Sequence, residues 1–159
     1  MKFIFTKTHY LQLKITLKSP KDENQWFDIT DHEYATKTLR TMGDDIKREI
    51  LTSFIDKPRT INDVLRMRCI SHTSGYRKVK SLINDGLLVS TNLSQIEPGK
   101  PVNTYISIFK NLIIQIVKNK VIIKVQLNSI VRNMHYLPPI IDKIEASNTI
   151  HLAHSEWQT

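Results

Sequence analysis

Between residues 30 and 110 the chain carries a helix-start signal four times and then changes to the alternating pattern of a β-hairpin. Each start signal is a short polar side chain that can accept a hydrogen bond from the free N–H groups of a first helical turn. The signals are the capping box Thr30-Asp31-His32-Glu33, Asp44-Asp45 after Gly43, the capping box Thr60-Ile61-Asn62-Asp63, and Ser71. Two strand-like runs follow at 87–93 and 102–108, around the turn-forming residues 97–101. This order of segments predicts an α+β fold.

The apolar residues behind these signals recur at helical spacing, which predicts helices at 44–55, from residue 60, and at 71–84. The residues expected to point inward are Ile46, Ile50, Leu51 and Phe54, then Ile61, Val64 and Leu65, then Tyr76, Val79, Leu82 and Ile83. Gly86 is expected to stop the last helix. Cys69, in the tight connection before Ser71, is predicted to be a small buried residue.

The stretches on both sides of this region alternate as β-strands do. Strands are predicted at 2–6 and 10–18, and a second hairpin runs from 112 to 127 around Asn119-Lys120. A short helix at 140–146 is expected after the prolines at 138 and 139, and a loosely held tail follows. The chain therefore divides into N-terminal strands at 1–29, a central domain at 30–110, and a hairpin with a tail at 111–159.

The second hairpin also bears on the oligomeric state. An isolated hairpin is marginally stable in water, so it needs the N-terminal strands, a second subunit, or both. We therefore expect a homodimer.

Positive charge is concentrated in the central region. The chain has a formal charge of +8 and a sequence pI of about 9.6. Residues 57–80 hold seven lysines and arginines against the single acid Asp63, so +6 of that charge lies within 24 residues. Such pooling is typical of a surface that binds a polyanion.

Polarity also divides by face along 71–84. The outward positions carry short polar or cationic side chains: Thr73, Ser74, Arg77, Lys78, Lys80 and Ser81. Short polar residues allow a backbone to approach DNA closely, and cations reach phosphates and guanine edges.

Four stretches of the central region resemble a known protein family. Leu39 to Leu51, Thr60 to Val64, Ile70 to Arg77 and Leu82 to Leu88 resemble winged helix-turn-helix transcriptional regulators of the ArsR-like group, above all its metal-independent archaeal members. The resemblance implies a recognition helix at 71–84 and a wing at 87–108, which bind double-stranded DNA. The implied DNA-binding residues are Arg59, Ser71, His72, Thr73, Ser74, Arg77, Lys78, Lys80, Ser81 and, at the wing tip, Lys100.

The resemblance does not extend to metal sensing. The family's metal sensors use a cysteine pair near the recognition helix, whereas Cys69 is the single cysteine here. His151 and His154 have the spacing of two ligands but no nearby third, so we expect neither a metal nor another cofactor. Gly75 stands where the family usually has an apolar residue, which either loosens the helix or admits close packing.

The sequence carries no sign of catalysis. It contains no glycine-rich phosphate loop, nucleophile elbow or histidine–acid cluster, and we expect a non-enzymatic protein. No apolar run is long enough for a membrane span, so we expect a soluble, cytoplasmic protein. Two alternatives to a DNA-binding regulator stay open. One is a winged-helix adaptor that docks other proteins through its flanking strands. The other is a sensor with a small-molecule pocket between the flanking sheet and the helices.

Overall fold

A computed structural model describes residues 24–91, 102–134 and 138–146 of the chain. Four of the sequence predictions fall outside these ranges: the strands at 2–6 and 10–18, the tip of the first hairpin with Lys100, and the C-terminal tail. The described residues form an α+β structure with five α-helices and two small antiparallel sheets. Within the described part, no helix has the length and apolar character needed to cross a membrane.

Four helices lie where the start signals predict them. They are α1 (His32–Gly43), α2 (Asp45–Thr52), α3 (Ile61–Met67) and α4 (His72–Asn84). The carboxylate of Asp44 caps α2 by accepting a hydrogen bond from the Lys47 N–H, and the Thr60 hydroxyl caps α3 by accepting from the Asp63 N–H.

The predicted cap of the first helix is wrong by one residue. Asp31, rather than Thr30, accepts the hydrogen bond from the Tyr34 N–H at 2.7 Å. This bond is the main reason that the pKa of Asp31 lies below its usual value, and the nearby Lys143 lowers that pKa further.

Cys69 closes the turn between α3 and α4, and the prediction of its burial is wrong. It is exposed, and its backbone has a φ of 53°, in the left-handed region that non-glycine residues rarely adopt. The turn is held by the Ile70 N–H, which donates to the Leu65 carbonyl at 2.9 Å. The backbone conformation of the turn therefore decides the position of Cys69 and directs its side chain to solvent.

The inward face of α4 is only partly as predicted. Val79 and Leu82 are fully buried and Ile83 is half-buried, whereas Tyr76 is 43% exposed. Gly75 takes the buried place expected for Tyr76. Gly86 ends the helix with a φ of 73°, as predicted.

The first hairpin consists of β2 (Leu88–Ser90) and β3 (Tyr105–Ser107), which pair antiparallel and are shorter than predicted. Arg59, between α2 and α3, adds an isolated bridge to β3. Its N–H donates to the Tyr105 carbonyl at 3.1 Å, and the Tyr105 N–H donates back at 2.8 Å. The chain between the two helices thus joins the edge of this sheet.

The second hairpin belongs to a larger sheet. It consists of β4 (Phe109–Val117) and β5 (Lys120–Leu127), and the sheet continues through β1 (Phe27–Ile29) to β6 (Ile144–Ala146), in the order β4-β5-β1-β6. Val117 pairs with Lys120, so the two turn residues are Lys118 and Asn119 rather than the predicted Asn119 and Lys120. Both have positive φ, as a type I′ turn requires.

The predicted helix at 140–146 is wrong in part. A short helix, α5 (Ser129–Arg132), precedes it, and the segment itself is a 3-10 helix at Pro139–Lys143 followed by β6. Pairing of β6 with β1 overrides the helical pattern there.

A common core joins the helices to both sheets. Its buried members include Phe27, Tyr34, Ile50, Phe54, Leu65, Val79, Leu82, Leu88, Ile108, Val125 and Ile144. The core therefore draws on residues from all three stretches distinguished in the sequence. Ile46, expected in the apolar stripe of α2, is instead 40% exposed.

Candidate nucleic-acid interface

Helix α4 lies between α2 and α3 and contacts each of them on a different flank. On the α2 side, the Lys78 ammonium lies 2.6 Å from the Asp44 carboxylate, and the Lys47 ammonium donates to the Ser81 hydroxyl. On the α3 side, the Tyr76 hydroxyl donates to the Asn62 side-chain oxygen at 2.7 Å. These contacts fix how α4 is rotated, and so which of its residues face solvent.

The solvent-facing stripe of α4 consists of Thr73, Arg77 and Lys80, with Asn84 one turn further on. At 100° per residue these positions lie opposite the buried row of Gly75, Val79 and Leu82. Three of the predicted site residues, Thr73, Arg77 and Lys80, therefore share one exposed ridge. No ion pair involves Arg77 or Lys80 among the described residues.

Lys78 and Ser81 lie apart from this stripe. The Lys78 side chain is 18% exposed, and its hydrogen bond to Asp44 is the main reason that the pKa of Asp44 lies below its usual value. Ser81 accepts from Lys47 and donates to Asp85, and Ser74 is only half-exposed on the same flank. These three predicted residues therefore face the contact with α2.

Ser71 and His72, the two predicted DNA-binding residues at the start of α4, are both exposed. Ser71 is the N-cap of α4, but its side chain makes no capping hydrogen bond. The His72 ring stacks on the Tyr76 ring, with centroids 6.1 Å apart and planes inclined by 22°. Both rings therefore form part of the surface next to Thr73.

Tyr76 and Asn62 are surface residues of this site that the sequence pattern did not predict. Tyr76 lies about 100° around the helix from Gly75, at the border of the stripe, and its hydroxyl is anchored by Asn62. The signal that could have found it is Gly75, because a glycine in a helix permits the close approach of a second helix, and this contact fixes the rotation of α4. Tyr76 gives the ridge a fixed aromatic face beside its cations.

The remaining cations of 57–80 surround the helices in different ways. Arg66 is 83% exposed and pairs within its own helix with Asp63, while Arg68 pairs with Glu49 at 3.7 Å. Arg59 is half-buried by its bridge to β3, and its Nε has no hydrogen-bond partner within the described ranges. The charge of residues 57–80 is thus spread over several surfaces, and only Arg77 and Lys80 lie on the α4 ridge.

A cleft of about 1150 Å³ opens on another side of the molecule. It lies between α1, the end of α4, the first hairpin, and the segment that leads into β6. Its apolar lining includes Ile83, Leu88 and Ile108, and polar groups of Lys37, Asp85 and Lys143 border it. The sequence left open a small-molecule pocket between the flanking sheet and the helices, whereas this cleft is lined by the helices, the first hairpin and the segment that leads into β6.

Comparison with known proteins identifies no relative. The chain matches no protein-family model, no curated protein and no solved structure. The function of this chain must therefore be inferred from the arrangement of its own residues.

Proposed function

We propose that this protein is a winged helix-turn-helix transcriptional regulator of the ArsR-like kind, which acts in the cytoplasm and binds double-stranded DNA as a homodimer. In this proposal α3 and α4 are the helix-turn-helix, with α4 as the recognition helix, and β2 and β3 form the base of the wing. The observation that carries the proposal is the exposed ridge of Thr73, Arg77 and Lys80 on α4.

The order of the elements supports a winged helix. A helix (α2) is followed by the bridge at Arg59, then by α3, α4, β2 and β3, and the bridge pairs with β3. Arg59, in the connection between α2 and α3, thus pairs with one edge of the small sheet. The hairpin of that sheet follows directly after α4. This arrangement places the hairpin beside the helix that would enter the major groove.

The chemistry of the ridge suits duplex DNA. An arginine can donate two hydrogen bonds to one guanine, which contributes about 1–3 kcal/mol of discrimination against the wrong base. Lys80, Arg66 and Lys57 are exposed cations that can contact phosphates without regard to sequence. The short side chain of Thr73, near the N-terminus of α4, allows the helix backbone to lie close to the groove. A homodimer would present two such ridges to an inverted repeat.

The test compares two adjacent cations of α4. Duplexes bound by the full chain are first selected from random DNA, and affinity is then measured across a salt series. Arg77→Ala should weaken binding to the selected site by about 1–3 kcal/mol and relax its base preference. Lys78→Ala is the matched control, because it removes the same charge from α4 at a position held by Asp44; it should lose less affinity than Arg77→Ala and keep the wild-type base preference.

Two results would contradict the proposal. One is the absence of any selected duplex. The other is an affinity that does not fall as salt rises, since binding through phosphates releases counterions.

The cleft favours a second candidate function, a sensor that changes its DNA affinity when a small molecule binds. An apolar cavity with a few polar groups at its border is the usual form of a ligand site. Thermal stabilisation by a metabolite, lost when the half-buried Val89 of the cleft lining is enlarged in Val89→Trp, would support this function. A protein-docking adaptor would instead bind a partner through the β4–β5 hairpin and show negligible affinity for DNA.

A further inference from the structure

Strand β4 leaves one side of the larger sheet open. It is the outermost strand in the order β4-β5-β1-β6, and nine residues long, so at about 3.3 Å per residue its edge is roughly 30 Å long. Within the described ranges no strand pairs with its outer side. A long open edge is a template for another strand, and proteins usually protect it.

The usual protection is confined to the two ends of β4. A bulge interrupts the pairing between Phe109 and Asn111, Lys110 stands at that bulge, and Lys118 lies in the hairpin turn. Between them, residues 111–117 contain neither a charge nor a proline. The middle of the edge is therefore free to pair.

The hairpin also extends the apolar core face into solvent. Ile114 pairs with Ile123, and Ile116 with Val121, on the same face as the buried Val125. Exposure along this face rises to 40% at Ile114, 52% at Val121 and 75% at Ile116. A strand added beside β4 would cover the exposed flanks of Ile114 and Ile116, the two members of this face that lie on the edge strand.

We infer that β4 pairs antiparallel with β4 of a second copy of this chain, which joins the two sheets into one of eight strands. The inference deepens the homodimer of the proposed function by naming the surface that forms it. A second copy fits because a two-fold axis at the middle of the strand brings the uncharged residues Leu112, Ile113 and Ile114 of both copies together.

The charges at the ends of β4 select the register. A two-fold axis at Ile114 would set Lys110 opposite Lys118 of the other copy, and directly opposed like charges destabilise a sheet. An axis at Ile113 separates these lysines and sets Asn111 opposite Gln115, a pair of amides that can hydrogen-bond. The expected register therefore places the two Ile113 residues opposite each other.

The hairpin turn decides which backbone groups are free to form this pairing. Val117 and Lys120 flank a two-residue turn, so they bond to each other, as do alternate residues back along β4. The even-numbered residues 112, 114 and 116 therefore present their N–H and C=O groups outward. Ile113 is then in a non-hydrogen-bonded pair with its symmetry mate, where Cα atoms are about 4.5 Å apart.

The first test measures the mass of the full chain in solution without DNA, by sedimentation at several concentrations. We expect a dimer, and we expect Ile116→Lys to raise the dimer dissociation constant by about tenfold or more. Val121→Lys is the matched control, because it places the same charge on the same face but on β5, away from the edge. Its effect should be clearly smaller. A monomeric wild type, or an equal effect of both variants, would overturn the inference.

The second test probes the register by cross-linking. Ile113→Cys, made with Cys69→Ser so that no other thiol is present, should form a disulfide-linked dimer on mild oxidation. Gln115→Cys in the same background should cross-link much less, because the axis at Ile113 sets it opposite Asn111. A dimer that cross-links better through position 115 would contradict this register. Neither test contains DNA, so each result is independent of the DNA-binding proposal.

Discussion

Leu65 of α3 lies directly against Gly75 of α4, so close that a Cβ atom built on the glycine would be 2.4 Å from the leucine Cδ2. Both residues are buried, and the leucine Cγ would be only 3.1 Å away. Glycine in a helix costs about 1 kcal/mol relative to alanine, so this position sacrifices helix stability for close approach of the two helices. The absence of a side chain at Gly75 therefore sets the distance between α3 and α4.

Gly75→Ala should accordingly destabilise the protein by about 1–3 kcal/mol, despite the higher helix propensity of alanine, because the new methyl group overpacks the site. The measurement is the free energy of unfolding in urea. Gly43→Ala is the control, since a Cβ there would meet nothing within 4 Å, and it should be neutral or stabilising. A Gly75→Ala variant as stable as the wild type would show that Leu65 can move aside without cost.

The ion pair between Asp44 and Lys78 should make stability depend on pH in the acid range. The pKa of Asp44 is lowered by the hydrogen bond from Lys78 and by that from the Lys47 N–H. The unfolded chain therefore takes up this proton at a higher pH than the folded one. The stabilisation is complete above the usual aspartate pKa of 3.8 and is lost as pH falls through the lower, folded pKa.

Asp44→Asn preserves the helix cap but removes the charge, so it should cost on the order of 1 kcal/mol at pH 7. The difference from the wild type should shrink as the pH is lowered below about 4. Unfolding free energies measured between pH 7 and pH 2.5 test this. Asp45→Asn, in an exposed pair with Arg48, should change little at any pH. No difference at any pH would mean that Asp44 contributes through its cap alone, and a difference that does not shrink at low pH would mean that its charge is not the source.

Local signals in the sequence predicted most of the helical region. The caps at Asp44 and Thr60 and the stop at Gly86 act through nearby backbone, so they can be read without knowledge of the fold. Three-dimensional context decided the rest. Tyr76 is exposed because Gly75 occupies the buried position, and Cys69 is exposed because its turn requires a positive φ.

The candidate site was predicted less completely for the same reason. Arg77 and Lys78 are adjacent cations in the sequence, and only the position of Asp44, 34 residues away, separates their environments. The helical pattern at 140–146 likewise gave no sign that residues 144–146 pair with β1. Contacts of this kind join distant parts of the chain and leave no local pattern.

Tyr76 should contribute to base reading if the protein binds DNA as proposed. Its ring is held by Asn62 and by stacking on His72, which leaves a fixed apolar edge that can contact the 5-methyl group of thymine. Replacing thymine by uracil at the contacted position should weaken binding about fourfold, because a buried methyl group contributes about 0.8 kcal/mol.

The control for this contact is a variant rather than another duplex. Tyr76→Ala should bind the thymine and uracil duplexes equally, and Tyr76→Phe should retain most of the preference because the ring stays. Affinities are compared at one salt concentration, position by position through the selected site. Uracil substitutions that have no effect anywhere would remove Tyr76 from base reading, while DNA binding through Arg77 would still stand.

Asn128 should be a main link between the second hairpin and the helices. It is 4% exposed, its side-chain N–H donates to the Ile55 carbonyl at 2.6 Å, and its side-chain oxygen accepts from the Ile130 N–H at 3.1 Å. Its own backbone N–H donates to the Ile108 carbonyl. One buried side chain thus bonds to the turn that follows α2 and caps α5.

Asn128→Ala should therefore cost about 2–3 kcal/mol, because it leaves the half-buried Ile55 carbonyl without its donor and removes the cap. Asn128→Asp retains the cap acceptor but sets a carboxylate against that carbonyl, so it should be at least as destabilising at pH 7 and should recover as the carboxylate is protonated. Ser129→Ala, at the exposed neighbouring position, should stay within about 0.5 kcal/mol of the wild type. Urea unfolding at pH 7 and pH 4 separates these outcomes. If the aspartate variant matches the wild type at pH 7, the cap rather than the bond to Ile55 carries the contribution of Asn128.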